Sequence, residues 1–518
     1  MRKFFRAVLG LAALVLLVAL VGGCSWLVDF SECSETAECV AEHGQGWSCS
    51  SEGLCQHSGP ALCQSSAECV SKHGDGWVCH EGSCEQPELL VAPCDRKEGP
   101  LENANAFRIG VVLQLSGSGA GFGAPMLDAI ILAQEDINGI NGVNGRPIAL
   151  IVCDTQGNNE RAKNAANHLV GVAGVQAIIG FNSSQVLEVA TEVTIPQKVL
   201  LVSPSATATT ISFLDDDGLV WRTAPSDAIQ GQAMGQLVSY AIDDVIDSSA
   251  RAGLKIAVLV RQNDRYATGL RETVVPHLPG DIVNDSARFS ARDYPNIGAG
   301  QPGDYTGVIS ALASEAVEPD VVVILGSGEA WEIAQGLDSV LAEKQPLYFV
   351  GDAVKNAALA AKAPSSLEGR IWGTAPQNVG DRAYPPYLSF RVKYQARYGQ
   401  DPNPFQFVAN AFDALYVVAF AAAAEGFTGE EMARGMKRLS GGEAISPRPD
   451  DAQKAMQTLR SGGSIDYMGA SGPLDFDANG DPQSSPIALW CFQGGNVPEK
   501  GVILDDDLDF TPLSCAGQ

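Results

Sequence analysis

The chain has 518 residues, 45 % of them hydrophobic, and its 61 acidic and 34 basic side chains leave a formal charge of −27. That surplus excludes nucleic acid as a partner, because nucleic-acid binding needs a basic footprint. A chain of this length exceeds what one core can organise, so two or more are expected.

Arg2, Lys3 and Arg6 precede an uncharged apolar run, Val8 to Val21, and Gly22-Gly23-Cys24 follow at once. This is the order of a signal peptide over residues 1–23. The run is shorter than the ~20 apolar residues of a spanning helix, and a cysteine directly behind small residues resembles a bacterial lipobox. Cys24 is therefore expected to carry the lipid that tethers residues 24–32 and all that follows to a membrane, each buried methylene contributing about 0.8 kcal/mol. Ser25 stands next to it with no Asp there, the pattern of an outer-membrane sorting signal in enteric bacteria.

Residues 33–84 contain a duplication. The first copy runs Cys33, Glu38-Cys39-Val40, His43-Gly44, Gly46-Trp47, Cys49, Cys55; the second runs Cys63, Glu68-Cys69-Val70, His73-Gly74, Gly76-Trp77, Cys79, Cys84. Even numbers of cysteine at repeated spacings in an exported chain read as disulfides, with three connectivities open to each set of four. His43, His57, His73 and His80 raise zinc as the rival. Zinc sites use close C-x2–4-C pairs, whereas most neighbouring cysteines here stand six to ten positions apart. Each copy has almost no aliphatic core, so two cross-links and one tryptophan must hold it. Residues 85–105, with Pro87, Pro93 and Gly99-Pro100, read as a linker.

From residue 106 strands and helices alternate. Arg108 to Gln114 is an apolar strand, and 116–123 is a glycine-serine loop containing Phe122. Met126, Ile130, Ala133 and Ile137 share one face of a helix over 124–138. Strands follow at 148–153, 177–180 and 199–202, with helices at 159–170 and from Ser183-Ser184 towards Pro196. The pattern restarts near Asp227, with strands at 256–260, 321–325 and 347–350 and helices at 229–246, 266–277, 304–312 and 331–341. Such alternation is α/β and builds parallel, doubly wound sheets, here in two successive lobes.

Ligands of such sheets bind beyond the carboxyl ends of the strands. The loops at that edge carry serine, threonine and an aromatic, with no metal-ligand cluster and no catalytic base. Only His168 and His277 lie in the body, and neither a Gly-x-Ser-x-Gly elbow nor a phosphate loop occurs, so neither an enzyme nor a cofactor is expected. Ser183 and Ser184 open a helix there, where free N–H groups and the positive dipole end suit a carboxylate; N-capping is the plainer role for the same hydroxyls. Asp227 reads either as an acceptor for a ligand ammonium or as the N-cap of the helix behind it. Asp477, Asn479 and Asp481 around Gly480 lack the terminal Glu of a calcium loop and read as a hairpin turn.

Leu115-Ser116-Gly117 with Phe122-Gly123, Gly139 to Gly145, and Ile179-Gly180 before Ser183-Ser184 stand in a recognisable order. Ser203-Pro204-Ser205-Ala206-Thr207, Arg222-Thr223, Asp264 to Gly269 around Tyr266, and Gly472 to Gly480 continue it. With these residues the body, 106–518, resembles the type I periplasmic binding proteins, specifically the branched-chain amino acid (leucine/isoleucine/valine) binding family of ABC transporters. The resemblance implies two Rossmann-like lobes and three crossings near Ala224, Gly351 and 464–470. Lobe one is then 106–224 with 352–465, and lobe two 225–351 with 466–518. It implies capture of a small polar metabolite, an amino acid or relative, for delivery to an ABC permease. A receptor or sensor of the cell envelope, uncoupled from transport, is the alternative.

The same resemblance implies that Ser184 donates to the ligand's carboxylate. On the loop Ser205-Ala206-Thr207, the Ser205 main chain and the Thr207 hydroxyl would hold carboxylate and ammonium, while Phe122 and Tyr266 close from opposite lobes. This chain departs from the family in several places. Ser327-Gly328-Glu329 stand where the family has an aromatic, Asp352 alone fills the acidic position after 347–350, and Phe407 or Phe405 supplies a further apolar wall. The family's lobe-one disulfide is missing, so Cys153 is instead paired in expectation with Cys94, and Cys491 with Cys515.

Overall fold

A computed structural model describes residues 33–43, 47–50, 53–57, 63, 65–73, 78–80, 83–85, 88–117, 120–246, 248–297, 303–376, 384–504 and 507–509. The signal peptide, Cys24 and Cys515 lie outside the described residues. The chain divides into two compact units, residues 1–86 and 87–518.

In the first unit each cysteine repeat is one helix and one hairpin. Thr36–His43 precedes Trp47–Cys49, which pairs antiparallel with Cys55–His57; Ser66–His73 precedes Val78–His80, which pairs with Ser83–Glu85. Disulfides join Cys33 to Cys49 and Cys39 to Cys55, then Cys63 to Cys79 and Cys69 to Cys84. The connectivity is first-to-third and second-to-fourth in both copies, so the repeat in sequence is a repeat in fold. Each bridge spans 15 or 16 residues, which removes about 3 kcal/mol of chain entropy from the unfolded state.

The body carries lobe one on a six-stranded sheet. Its strands are β1 (Arg96–Glu98), β2 (Phe107–Leu113), β3 (Ile148–Asp154), β4 (Ala177–Gly180), β5 (Leu200–Ser203) and β6 (Val220–Arg222), in the spatial order β6-β5-β4-β2-β3-β1. Six of the seven residues of β2 are buried, as a parallel strand covered by helices on both faces requires. Helices α1 (Ala120–Gly139), α2 (Asn159–Gly171) and α3 (Ser183–Val189) follow β2, β3 and β4.

The linker expected over 85–105 is largely part of this lobe. β1 pairs antiparallel with β3, Arg96 opposite Val152, and Cys94 is disulfide-bonded to Cys153. Its Arg-Lys-Glu sequence carries no strand signal, yet charges suit an edge strand. The bridge closes a loop of 59 residues. Replacing both cysteines by alanine should lower the unfolding free energy by about 2–4 kcal/mol in a denaturant titration; an unchanged midpoint would mean that the edge strand holds by itself.

Lobe one is completed by segments far along the chain. Val408–Glu425 is the one helix among the described residues long and apolar enough to cross a membrane, and it is instead almost wholly buried against α1. Within it Asp413 accepts hydrogen bonds of 2.6–2.8 Å from Ala470 N, Ser471 N, Ser471 Oγ and Tyr467 Oη. Burial pushes its carboxyl up to about 6, against the pull of those four donors. Lobe two has an eight-stranded sheet of β7 (Ile256–Arg261), β8 (Phe289–Tyr294), β9 (Val321–Leu325), β10 (Leu347–Val350) and β11 (Ile371–Pro376), with three C-terminal strands beyond β11. The order runs β8-β7-β9-β10-β11, all parallel.

Two of the expected crossings fall later than the sequence suggested. β11 pairs in parallel with β10, so Asp352 to Pro376 stays with lobe two. Ile465, Tyr467, Leu474 and Phe476 lie in the core of lobe one, tied there by Asp413. The chain therefore leaves lobe two after β11 rather than at Gly351, and leaves lobe one after Phe476 rather than at 464–470.

Candidate functional site

On lobe one, the loops after the parallel strands are shaped by side chains of the loops themselves. Asp154, at the end of β3, accepts from Leu115 N at 2.9 Å and from Ser116 Oγ at 2.6 Å, which fixes the first loop. Phe122, in the first turn of α1, is half-buried and packs on the lobe-one core. Asn182 caps α3 in a capping box with Gln185, so Ser183 and Ser184 are the first helical residues and the cap is another side chain's work. Ser203 Oγ accepts from Ala206 N at 3.0 Å and donates to Phe181 O at 2.9 Å. Ser205 is half-buried beside it, and Thr207 is buried.

Arg222 holds this third loop from beneath. Fully buried, it donates to both carboxylate oxygens of Asp481 at 2.6 and 2.7 Å, to Ser212 Oγ at 2.8 Å, and to the carbonyls of Ala208 and Ala206 at 2.9 and 3.3 Å. All five guanidinium N–H groups are thereby used. Asp481 closes a tight hairpin in which Asp477 Oδ1 accepts from Asn479 N and Asp481 N. The amide and carbonyl of Ala206 are both engaged inside the loop, so that residue serves its shape.

Lobe two supplies the acids. α4 (Asp227–Tyr240) is capped by Ser226, whose hydroxyl accepts from Ala228 N at 3.3 Å. Asp227 is thus not the N-cap, one of the two roles open to it from sequence. Its amide donates to Thr207 O at 2.7 Å across the loops. Its side chain is buried, and neither carboxylate oxygen makes a hydrogen bond of good geometry. Burial first, and the neighbouring Asp352 second, push its carboxyl well above the ordinary range; the nearby Thr207 hydroxyl and Arg222 only partly offset this.

Asp352, in the turn after β10, accepts from Tyr266 Oη at 2.6 Å and from Gln230 Nε2 at 2.9 Å. Burial raises its carboxyl too. Tyr266 stands in the first turn of α5 (Arg265–Val274), which Asp264 caps through Tyr266 N at 2.9 Å. Burial and Asp352 hold the Tyr266 phenol protonated. Thr207, Asp227, Tyr266 and Asp352, all chosen from sequence, therefore come together at one place. Gln230 belongs with them and was missed: its Nε2 also reaches Thr374 O at 3.2 Å, while its buried Oε1 has no donor. Its spacing of three from Asp227 on a helix was the available signal.

Other sequence choices land elsewhere. Phe407 has a left-handed backbone (φ 61°) and packs in the lobe-one core with Phe405 half-buried beside it. Glu329 is one strand away from Asp352, bound to Arg261 and Tyr294. Cys491 is disulfide-bonded, and Cys515, its expected partner, lies outside the described residues. The lobes approach each other where Thr209 faces Gly269 of α5. Beside that approach lies a cavity of about 360 Å³, lined by Thr210 from lobe one and by Asn263, Asp264, Thr268 and Glu272 from lobe two, a volume in the range of small-molecule sites.

The profile of the periplasmic binding proteins matches residues 106–489. A substrate-binding protein of a chemotactic signal transduction system in Halobacterium salinarum is 28 % identical over 385 residues, 72 % of this chain and 84 % of that one. The leucine-, isoleucine-, valine-, threonine- and alanine-binding protein of Pseudomonas aeruginosa is 24 % identical over 396 residues, 75 % of this chain and 90 % of that one. Among solved structures, a leucine-binding protein of Thermotoga maritima shares the fold with a TM-score of 0.61 and 22 % identity, covering 78 % of this chain and all of its own. A branched-chain amino acid transporter substrate-binding protein of Streptococcus pneumoniae, in complex with isoleucine, shares it at 0.59 and 18 % identity, covering 77 % and 99 %. These are solute-binding proteins and not enzymes. The chain belongs to the periplasmic binding proteins of type I, among the relatives of the branched-chain amino acid binding proteins.

Proposed function

We propose that this chain captures an amine-bearing metabolite, an amino acid or a close relative, between its two lobes and releases it unchanged to an ABC importer. The observation that carries this reading is Asp227, a fully buried carboxylate with no good hydrogen bond and a second carboxylate, Asp352, beside it. A buried carboxylate without a partner is costly unless it is neutralised or meets a cation. A ligand ammonium supplies that charge and three N–H donors, for which Asp227 and Gln230 Oε1 are the waiting acceptors. Thr207 belongs to lobe one and Tyr266 to lobe two, so a guest held by both draws the lobes together.

Cys24 would fix the protein to a membrane of the bacterial envelope by its lipid, with the disulfide repeats as a spacer in an oxidising compartment. The similarity to a chemotactic substrate-binding protein supports a second reading, in which the liganded body informs a receptor rather than a permease.

The α-hydroxy acid counterparts of the amino acids test the first reading, because they put an uncharged hydroxyl of similar size where the ammonium stands. Free amino acids of the right class should raise the melting temperature of the purified chain, and their α-hydroxy acid counterparts should not. Thr207→Ala with Tyr266→Ala should abolish the response while the protein still unfolds cooperatively; an unchanged response would put the ligand elsewhere.

A further inference from the structure

Lobe two repeats one arrangement on adjacent strands. At the end of β10, any Cβ on Gly351 would collide with Tyr266 Oη, so glycine is what lets that hydroxyl reach Asp352. At the end of β9, a Cβ on Gly326 would collide with both Tyr294 Oη and Glu329 Oε1, and Tyr294 donates to that oxygen at 2.9 Å. Neighbouring strands stand about 4.8 Å apart. The second tyrosine–carboxylate pair therefore lies one strand further along the same carboxyl edge, the edge at which Gly269 of α5 meets Thr209 of lobe one.

The two pairs differ in charge. Asp227 and Asp352 have each other for company, whereas Glu329 accepts from Arg261 Nη1 on both oxygens, at 3.2 and 3.3 Å. Arg261 Nε and Nη2 bind Asp264, the residue that caps α5 beside Tyr266. Four of the five guanidinium N–H groups are spent in this way, which leaves one, and among the described residues Glu329 Oε2 has Arg261 as its one partner. Ser327, Gly328 and Glu329 remain half-exposed, and the side chains of Arg261 and Glu329 keep 19 % and 14 % of their surface.

A branched aliphatic end placed here would take water from an ion pair and return nothing to it. A cationic end meets Arg261, and an anionic end meets Glu329. An uncharged carboxamide satisfies both, its carbonyl on the spare guanidinium N–H and its NH2 on Glu329 Oε2. We propose that Arg261 and Glu329 form a second, polar subsite that selects an amine-bearing solute whose far end is a carboxamide over one whose far end is aliphatic. This rests on the reading of Asp227 as the ammonium acceptor.

Calorimetry on the full chain with glutamine, asparagine, leucine, valine, glutamate and lysine tests the subsite. Wild type should bind a carboxamide amino acid at least about tenfold more tightly than leucine or valine, and Glu329→Leu should reverse that order. If Glu329→Leu fails to fold, Glu329→Gln keeps the shape without the charge, and its carboxamide affinity should fall while leucine binding stays as it was. A wild type that prefers leucine, valine or a charged amino acid overturns the proposal and leaves the ammonium pocket standing. So does a folded Glu329 variant with an unaltered preference. Failure of every amino acid and amine to bind overturns the pocket reading itself.

Discussion

Arg222→Ala is expected to cost the body about 3–5 kcal/mol of stability and to abolish ligand binding under conditions where the variant still folds. The guanidinium is fully buried and uses every N–H it has, and its removal leaves Asp481 buried without its charge partner. The same residue bridges three parts of the chain: β6, the loop carrying Ser205 to Thr207, and the hairpin near 480 that follows lobe one. Loss of that clamp frees the carbonyls of Ala206 and Ala208 and with them the position of Thr207. Arg222→Lys keeps the charge but not the planar fork and should be only partly better. Replacing Arg222 by methionine and Asp481 by leucine together should recover much of the stability, because a buried pair often does no better than well-packed apolar groups. It should not recover binding. Denaturant unfolding alongside calorimetry separates the two effects.

Asp227→Asn should have the opposite signature. Binding of an amine should fall by about a hundredfold or more, since the charge that meets the ammonium is gone. The empty protein should become more stable at neutral pH, by on the order of 1 kcal/mol, because a buried charge without a good partner has been removed. The pH dependence follows from the raised carboxyls of Asp227 and Asp352. A carboxyl whose folded pKa lies above its unfolded value near 3.9 holds its proton more tightly in the fold. Its contribution to stability is full at low pH and is lost as pH climbs from about 4 through the raised values. The stabilisation by Asp227→Asn should therefore shrink towards pH 4. An ammonium that must meet an ionised Asp227 should bind less well as pH falls through the raised carboxyl range in wild type, and much less so in the variant. Melting temperatures and affinities between pH 4.5 and 8 measure both trends. A variant that binds amines normally would remove Asp227 from the site.

What the sequence made legible and what it hid have physical reasons. β2, β3, β4, β5, β7, β9 and β10 are apolar and short, bounded by turn residues, and their periodic helices are amphipathic, so the α/β order was readable. β8 was not, because Phe289–Tyr294 is an edge strand with three exposed residues in a row. β11 escaped although Pro364-Ser365-Ser366 and Gly369 mark turns before it, because its own sequence, Ile-Trp-Gly-Thr-Ala-Pro, has neither an apolar run nor clean alternation, and that omission misplaced the second crossing. The acids and hydroxyls of the site were readable one loop at a time. Their partnerships were not. Arg222 and Asp481 stand 259 residues apart, and Tyr266 and Asp352 stand 86 apart. Glu329 was chosen for its place after β9, but Arg261 and Tyr294, which decide what it can bind, come from the ends of two other strands. Cys94 was set opposite Cys153 only because the family's lobe-one disulfide is missing; the edge strand β1 that brings the two together had looked like linker.

The most direct measurement is native mass spectrometry of the full chain, purified without refolding, beside Asp227→Asn prepared in the same way. One small amine-bearing solute per wild-type chain, absent from the variant, is the expected result. A bound solute that lacks an amine, or one retained equally by Asp227→Asn, would contradict a guest held at Asp227 between the lobes.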